Sequence, residues 1–183
     1  RLRYMQSLLS QRELLDAGLV VQGGRGSVYD RFRGRLMFPL ADERGRILGF
    51  GARTLGDDTP KYLNSPETGL YQKGKLVFGL DKAREPARRE DCIFVVEGYT
   101  DVLALVQAGV RNVVASMGTA LTEEQLAAMQ RHTANIYLCF DADAAGLGAM
   151  DRALRLSRGL GMALHVVRVP EGQDPADFIQ SGH

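Results

Sequence analysis

Apolar residues follow two different rhythms along this chain, and the change comes near residue 91. Beyond it, short uninterrupted apolar runs alternate with stretches whose apolar positions recur at helical spacing. The pattern predicts strands over 92–96, 112–115, 135–140 and 163–169, and helices over 99–108, 122–132 and 145–158. A run such as Cys92–Val96, apolar at every position, suits a strand covered on both faces by helices. Repeated β–α units imply a mostly parallel sheet with right-handed crossovers. Thr122-Glu123-Glu124-Gln125 gives its helix an N-cap and acids in the first turn, where the helix dipole favours them.

Before residue 91 the rhythm is shorter and broken by glycine and proline. Ser10-Gln11-Arg12-Glu13 has the form of a capping box ahead of Leu14 and Leu15, with Gly18 as the stop. Gly23–Gly26 lacks the strand–loop–helix setting of a phosphate loop and reads as a flexible connection. Leu36–Leu40 and Ile47–Phe50 flank the turn Asp42-Glu43-Arg44-Gly45 and predict an antiparallel hairpin. Arg31, Arg33 and Arg35 share one face if that segment is extended, which fits phosphate recognition and plain exposure equally. Thr59–Leu76 reads as a long loop carrying Lys61, Tyr62, Asn64, Lys73 and Lys75, able to hold a phosphate backbone and stack a base, or simply to cover a surface.

Composition narrows the class. A 45% apolar and 25% charged chain is ordinary for a soluble globular protein, and no apolar run approaches the roughly 20 residues of a membrane span. The amphipathic, acid-containing N-terminal stretch does not read as a signal peptide. Cys92 and Cys139 both fall in predicted buried strands and are expected as reduced thiols. His132, His165 and His183 lack ligand spacing, so no zinc site is expected. Net charge is only +1, but residues 1–90 carry +6 and residues 91–183 carry −5. A basic half joined to an acidic half fits a polyanionic partner on the basic side and a plainly solvated basic surface equally.

The acidic half holds the candidate chemistry. Glu97 stands at the end of the first predicted strand, and Asp141 and Asp143 follow the third. Ligands of open α/β sheets bind beyond the strands' carboxyl ends. Carboxylates gathered there repel, and they are expected to take up protons or bind cations, for which all-oxygen donors favour Mg²⁺ or Mn²⁺. Asp101 has a simpler reading as a first-turn acid, and Asp174 before Pro175 as an N-cap with Asp177 in the turn behind it.

VVEGYTDVLAL followed some forty residues on by CFDADAAG resembles the toprim signature of primases, topoisomerases and some nucleases. RFRGRLMFPL, GRILGFGAR, TPKYLNSPET and YQKGKLVFGL resemble the catalytic core of bacterial DnaG-type primases, over about residues 30–179. The resemblance implies an α/β fold: a toprim domain over 91–183 with a mostly parallel sheet flanked by helices, preceded by a smaller mixed α+β basic subdomain over 1–90. It implies a nucleotidyltransferase that makes short RNA primers on single-stranded DNA. Glu97, Asp141 and Asp143 match its catalytic residues, and Glu97, Asp101, Asp141, Asp143 and Asp174 its metal ligands for more than one Mg²⁺ or Mn²⁺. Arg53, Lys61, Tyr62, Asn64 and Lys73 match its nucleotide and template region. Ala176 stands where the family often has a second acid, which leaves Asp177 as the alternative. Ribonucleoside triphosphates, the single-stranded template and the RNA–DNA product are the implied partners. A replicative helicase and a single-stranded-DNA-binding protein would be reached through modules absent here, and no membrane is implied. The implied location is the cytoplasm, at the nucleoid and replication fork. The zinc and helicase-binding modules have no counterpart in this chain, which therefore reads as a core fragment expected to prime weakly or not at all. Rival readings are a toprim nuclease or topoisomerase, a phosphatase built on Asp-x-Asp, and a non-catalytic nucleic-acid-binding module. The phosphatase is disfavoured because Ala144, Ala145 and Gly146 follow where a hydroxyl is wanted.

Overall fold

In a computed structural model of the chain, described over residues 5–117, 120–140, 144–167 and 175–180, contacts group the residues into two units. One comprises Arg1–Leu40 with Ile47–Lys73, the other Ala41–Arg46 with Gly74–His183.

The first unit opens with helix α1 (Gln11–Asp16). Its predicted capping box is present: the Glu13 N–H donates to Ser10 Oγ at 3.2 Å, and the Ser10 N–H donates to Glu13 Oε2 at 2.7 Å. The helix stops at Gly18, whose φ of +65° and whose Cα, packed on Pro66, both require glycine; an added Cβ would lie 2.4 Å from Pro66 Cδ. Strands β1 (Val20–Gln22) and β2 (Val28–Asp30) pair antiparallel around a 3₁₀ turn at Gly24–Gly26. A second sheet has the order β3–β4–β5, with β3 spanning Arg35–Ala41, β4 Ile47–Thr54 and β5 Tyr62–Asn64. The predicted hairpin is therefore real and longer than its apolar runs. Asp42 closes its turn, Oδ1 accepting the Arg44 and Arg46 N–H groups at 2.9 Å each.

Arg31, Arg33 and Arg35 do not form a shared strand face. Residues 31–34 bend, and each guanidinium takes a different partner. Arg31 donates to the Asn64 carbonyl at 2.8 and 3.1 Å, Arg33 lies 4.7 Å from the Tyr29 ring centre, and Arg35 donates to the Pro60 carbonyl at 2.7 Å. Gly34, at φ +62°, breaks the extension on which the common face depended.

The second unit contains the parallel sheet, ordered β7–β6–β8–β9: β6 is Ile93–Val96, β7 Val113–Ala115, β8 Asn135–Leu138 and β9 Ala163–Val166. All three pairings are parallel. Between the strands run α3 (Tyr99–Gln107), α4 (Glu123–Gln130) and α5 (Ala144–Leu160), with α6 (Pro175–Gln180) after them. One sheet face, through Ile93, Val95, Val114, Ile136 and Leu138, is buried against α4, α5 and α2 (Leu80–Glu90). On the other face, α3 packs on β7 and on α6. Phe94, Tyr137 and His165 form a ladder across three strands there, with ring centres 5.3 and 4.6 Å apart.

Helix α2 departs from the expected pattern. Pro86 lies within it and charges crowd the short apolar set, yet Leu80, Ala83 and Ala87 recur at helical spacing and are buried on one side. Ahead of it Phe78 pairs with Ala115, with N–H···O distances of 3.0 Å in both directions, and Gly79 turns the chain at φ +83°. Tertiary packing, rather than propensity, fixes this segment.

Packing at the end of α4 makes one pH-dependent contribution explicit. The His132 side chain is 5% exposed, and neither ring nitrogen has a hydrogen-bond partner among the described residues. Burial, followed by the charges of Arg88, Arg131 and Arg84, pushes its pKa down, and Glu43, 3.8 Å away, opposes this only in part. The folded state therefore holds His132 neutral, while the unfolded chain takes up the proton near the ordinary value of 6.5. The resulting stability is complete above that pH and is lost as pH falls from it through the lowered folded value. Urea midpoints of the unaltered chain should drop between pH 7 and 5.5 more steeply than those of His132→Asn; parallel profiles would remove this account.

Candidate active site at the carboxyl edge of the parallel sheet

Strand order decides where a site can form. The chain leaves β6 for β7 on one side and then crosses back to β8 on the other. The carboxyl ends of β6 and β8 thus flank the sheet's switch point, where neighbouring connections diverge and leave a crevice. Glu97 follows β6 directly and is half-buried. On β8 the pairing continues past Val95↔Leu138, as the Cys139 N–H donates to the Val95 carbonyl at 2.8 Å. Phe140, buried beside it, is followed in sequence by Asp141. Asp141, Asp143 and Asp174 themselves lie outside the described residues.

The backbone around Glu97 is held from two sides. The Met117 N–H donates to the Glu97 carbonyl at 2.9 Å, and the Ser116 N–H to the Val96 carbonyl at 3.2 Å. Met117 reaches this position in a left-handed conformation, φ +63°, uncommon for a non-glycine residue. Across the same peptide the Gly98 N–H donates to Asp101 Oδ2 at 3.0 Å. Asp101, buried at 8% exposure, occupies the third position of α3. Nothing in the local sequence pattern pointed to Met117.

Among the described residues no group of three His, Cys, Asp or Glu side chains is placed to hold an ion. Glu97 and Asp101 are the members of the acidic set that the description covers, and their donors are oxygen only, the chemistry of a hard divalent cation. Cys139, adjoining the same edge, is no nucleophile, because burial pushes its thiol up to about 12. Cys92 is likewise a free thiol raised first by burial, held against Asn112 Nδ2 at 3.2 Å.

In the first unit the expected basic residues are partly brought together. Arg53 and Tyr62 are register partners on β4 and β5, and Tyr62 is 41% exposed. The Arg53 guanidinium and the Lys61 ammonium lie 5.8 and 5.9 Å from the Tyr62 ring centre. Arg53 and Lys61 also line an open cavity of about 600 Å³ with Leu36, Leu55, Asp57 and Asp58. Asn64 lies at the end of the same short strand, its carbonyl fixed by Arg31. Lys73 is placed elsewhere on the loop, its N–H donating to Glu67 Oε1 at 3.0 Å, and it does not line the cavity. Sequence spacing alone gave Arg31 no anchoring role for β5.

Residues 3–84 match the DNA primase catalytic core N-terminal domain, and residues 94–179 match a toprim-like domain. The chain is 48% identical over 177 residues to a DNA primase of Pseudomonas putida, covering 94% of this chain and 27% of that protein. It superimposes on a DNA primase domain from Pseudomonas aeruginosa with a TM-score of 0.86 at 48% identity, covering 93% of this chain and 55% of the other. A DnaG primase catalytic domain bound to ssDNA gives 0.87 at 43% identity, with 93% and 56% covered. The chain thus spans under a third of the P. putida relative and about half of the two solved catalytic-domain chains. With an N-terminal primase-core match and a toprim-like match end to end on one chain, the chain belongs to the bacterial DnaG-type primases and corresponds to part of their catalytic core.

Proposed function

We propose that this chain is the part of a replicative primase that joins ribonucleotides on a single-stranded DNA template. The observation that carries the reading is Glu97 at the switch point of a parallel sheet, level with the strand that runs into Asp141 and Asp143. Glu97, Asp141 and Asp143 form the catalytic set, and together with Asp174 they would hold Mg²⁺ or Mn²⁺. Bound there, divalent ions supply charge neutralisation for a triphosphate and acidify the attacking 3′-hydroxyl. The carboxylates hold and space the site, while Arg53, Lys61, Tyr62, Asn64 and Lys73 bind phosphate and stack a base. Acidic residues 91–183 and basic residues 1–90 thereby divide the work, as the −5 and +6 charges suggest. Helicase and single-stranded-DNA-binding protein would engage the longer protein, and the cytoplasmic replication fork is the proposed setting. Among the described residues no helix is long and apolar enough to cross a membrane.

The test uses the intact protein that contains this chain. Labelled ribonucleotides should be incorporated on single-stranded DNA, and Asp141→Ala with Asp143→Ala should end incorporation while single-stranded DNA is still bound. Cleavage of a labelled duplex without incorporation would point instead to a toprim nuclease. Undiminished incorporation by the double variant would reduce the acids to a structural role.

A further inference from the structure

We infer that Asp101 is a positioning residue that fixes Glu97 through the peptide between Glu97 and Gly98, rather than one of the metal ligands; the inference rests on the reading of Glu97 given above. That peptide is bonded at both polar atoms. Its carbonyl accepts from the Met117 N–H at 2.9 Å, and its N–H donates to Asp101 Oδ2 at 3.0 Å. The two bonds come from different parts of the chain, the segment just after β7 and the first turn of α3, so together they set the peptide plane and the direction in which Glu97 leaves the strand. Met117 makes its bond from a left-handed backbone at φ +63°, a conformation kept only where surrounding structure demands it.

The choice of residues on either side fits the same role. Gly98 is the N-cap of α3 and has no side chain, so it cannot complete the usual reciprocal capping pair; Asp101 supplies the returning half alone. A Cβ on Gly98 would lie 3.2 Å from Asp101 Oδ2, closer than an ordinary contact, so the carboxylate would have to give by a few tenths of an ångström. A carboxylate at 8% exposure needs such compensation, and here the helix N-terminus and a charge-assisted bond provide it. Catalytic groups displaced by about 1 Å lose much of their effect, which makes a fixed Glu97 peptide consequential.

Asn and Ala at position 101 separate positioning from ligation. Asp101→Asn keeps an oxygen that can accept from Gly98 but removes the negative charge, whereas Asp101→Ala removes both. In metal-free protein the Gly98 amide should stay protected from hydrogen exchange in the unaltered chain and in Asp101→Asn, and exchange faster in Asp101→Ala. Mn²⁺ affinity should stay within about threefold of the unaltered chain for Asp101→Asn, and fall by roughly 10- to 100-fold for Asp101→Ala, the range for groups that orient a ligand. Equal loss of affinity in both variants, or no loss in either, would overturn the inference. Glu97→Gln serves as the control: if it leaves Mn²⁺ affinity unchanged, the reading of Glu97 fails, and the Gly98 exchange rates still decide whether Asp101 fixes the peptide.

Discussion

Glu97→Gln should lower the chain's Mn²⁺ affinity by at least about 100-fold and end ribonucleotide incorporation in the intact protein. Groups that only orient a ligand are worth roughly 10- to 100-fold in affinity, so a direct ligand should lie at or beyond the top of that range. The substitution is nearly isosteric. It preserves the length and shape of the side chain, and the backbone bonds from Met117 and to Asp101 do not involve it. What changes is charge: an amide oxygen cannot neutralise a divalent cation as a carboxylate does. Stability should move little, because Glu97 is only half-buried at the end of its strand. Isothermal titration with Mn²⁺ beside a urea curve separates the effects; an unchanged affinity at unchanged stability would remove Glu97 from the site.

Leu138→Ala should destabilise the second unit by about 3 kcal/mol, within the 2–5 kcal/mol typical of buried leucines. Leu138 is fully buried on β8, between β6 and β9, in the cluster that includes Ile93, Val95 and Ile136. Strands on both sides hold the backbone, so the sheet cannot collapse into the space a leucine leaves. On α3, Leu103 is 50% exposed, and Leu103→Ala should fall within about 0.5 kcal/mol of the unaltered chain. The loss expected at Leu138 is a large fraction of the 5–15 kcal/mol that stabilises an ordinary domain. Urea denaturation of the two variants side by side checks the contrast, and similar midpoints would contradict the packing described.

The parts of the fold that could be read in advance are those in which one rule acts alone. Ile93–Val96 is apolar at every position because helices cover both faces of its strand, and Glu97 stands out as the break in that run. Thr122 and Gln125 cap α4 as their identities predict, and Gln125 goes further, its Nε2 donating to the Leu76 carbonyl at 2.7 Å. The order of strands was not legible, since parallel β–α units permit several orders, and the position of Glu97 at the switch point depends on it. Helix α2 was hidden by Pro86, and β5 by the prolines and glycines around Tyr62–Asn64. Arg31 could not be seen as an anchor, because its acceptor is a backbone carbonyl 33 residues away. Asp101 illustrates a last difficulty: capping and ligation call for the same residue type, and its bond to Gly98 favours the first.

The account stands most directly on a crystal of this chain grown with Mn²⁺ and a ribonucleoside triphosphate, with the metal located by its anomalous signal. The predicted result is manganese at roughly 2.0–2.2 Å from carboxylate oxygens of Glu97 and of the Asp141/Asp143 pair, with triphosphate oxygens completing its shell. Manganese bound elsewhere, or Glu97 too distant from those aspartates to share an ion even through one water, would contradict it.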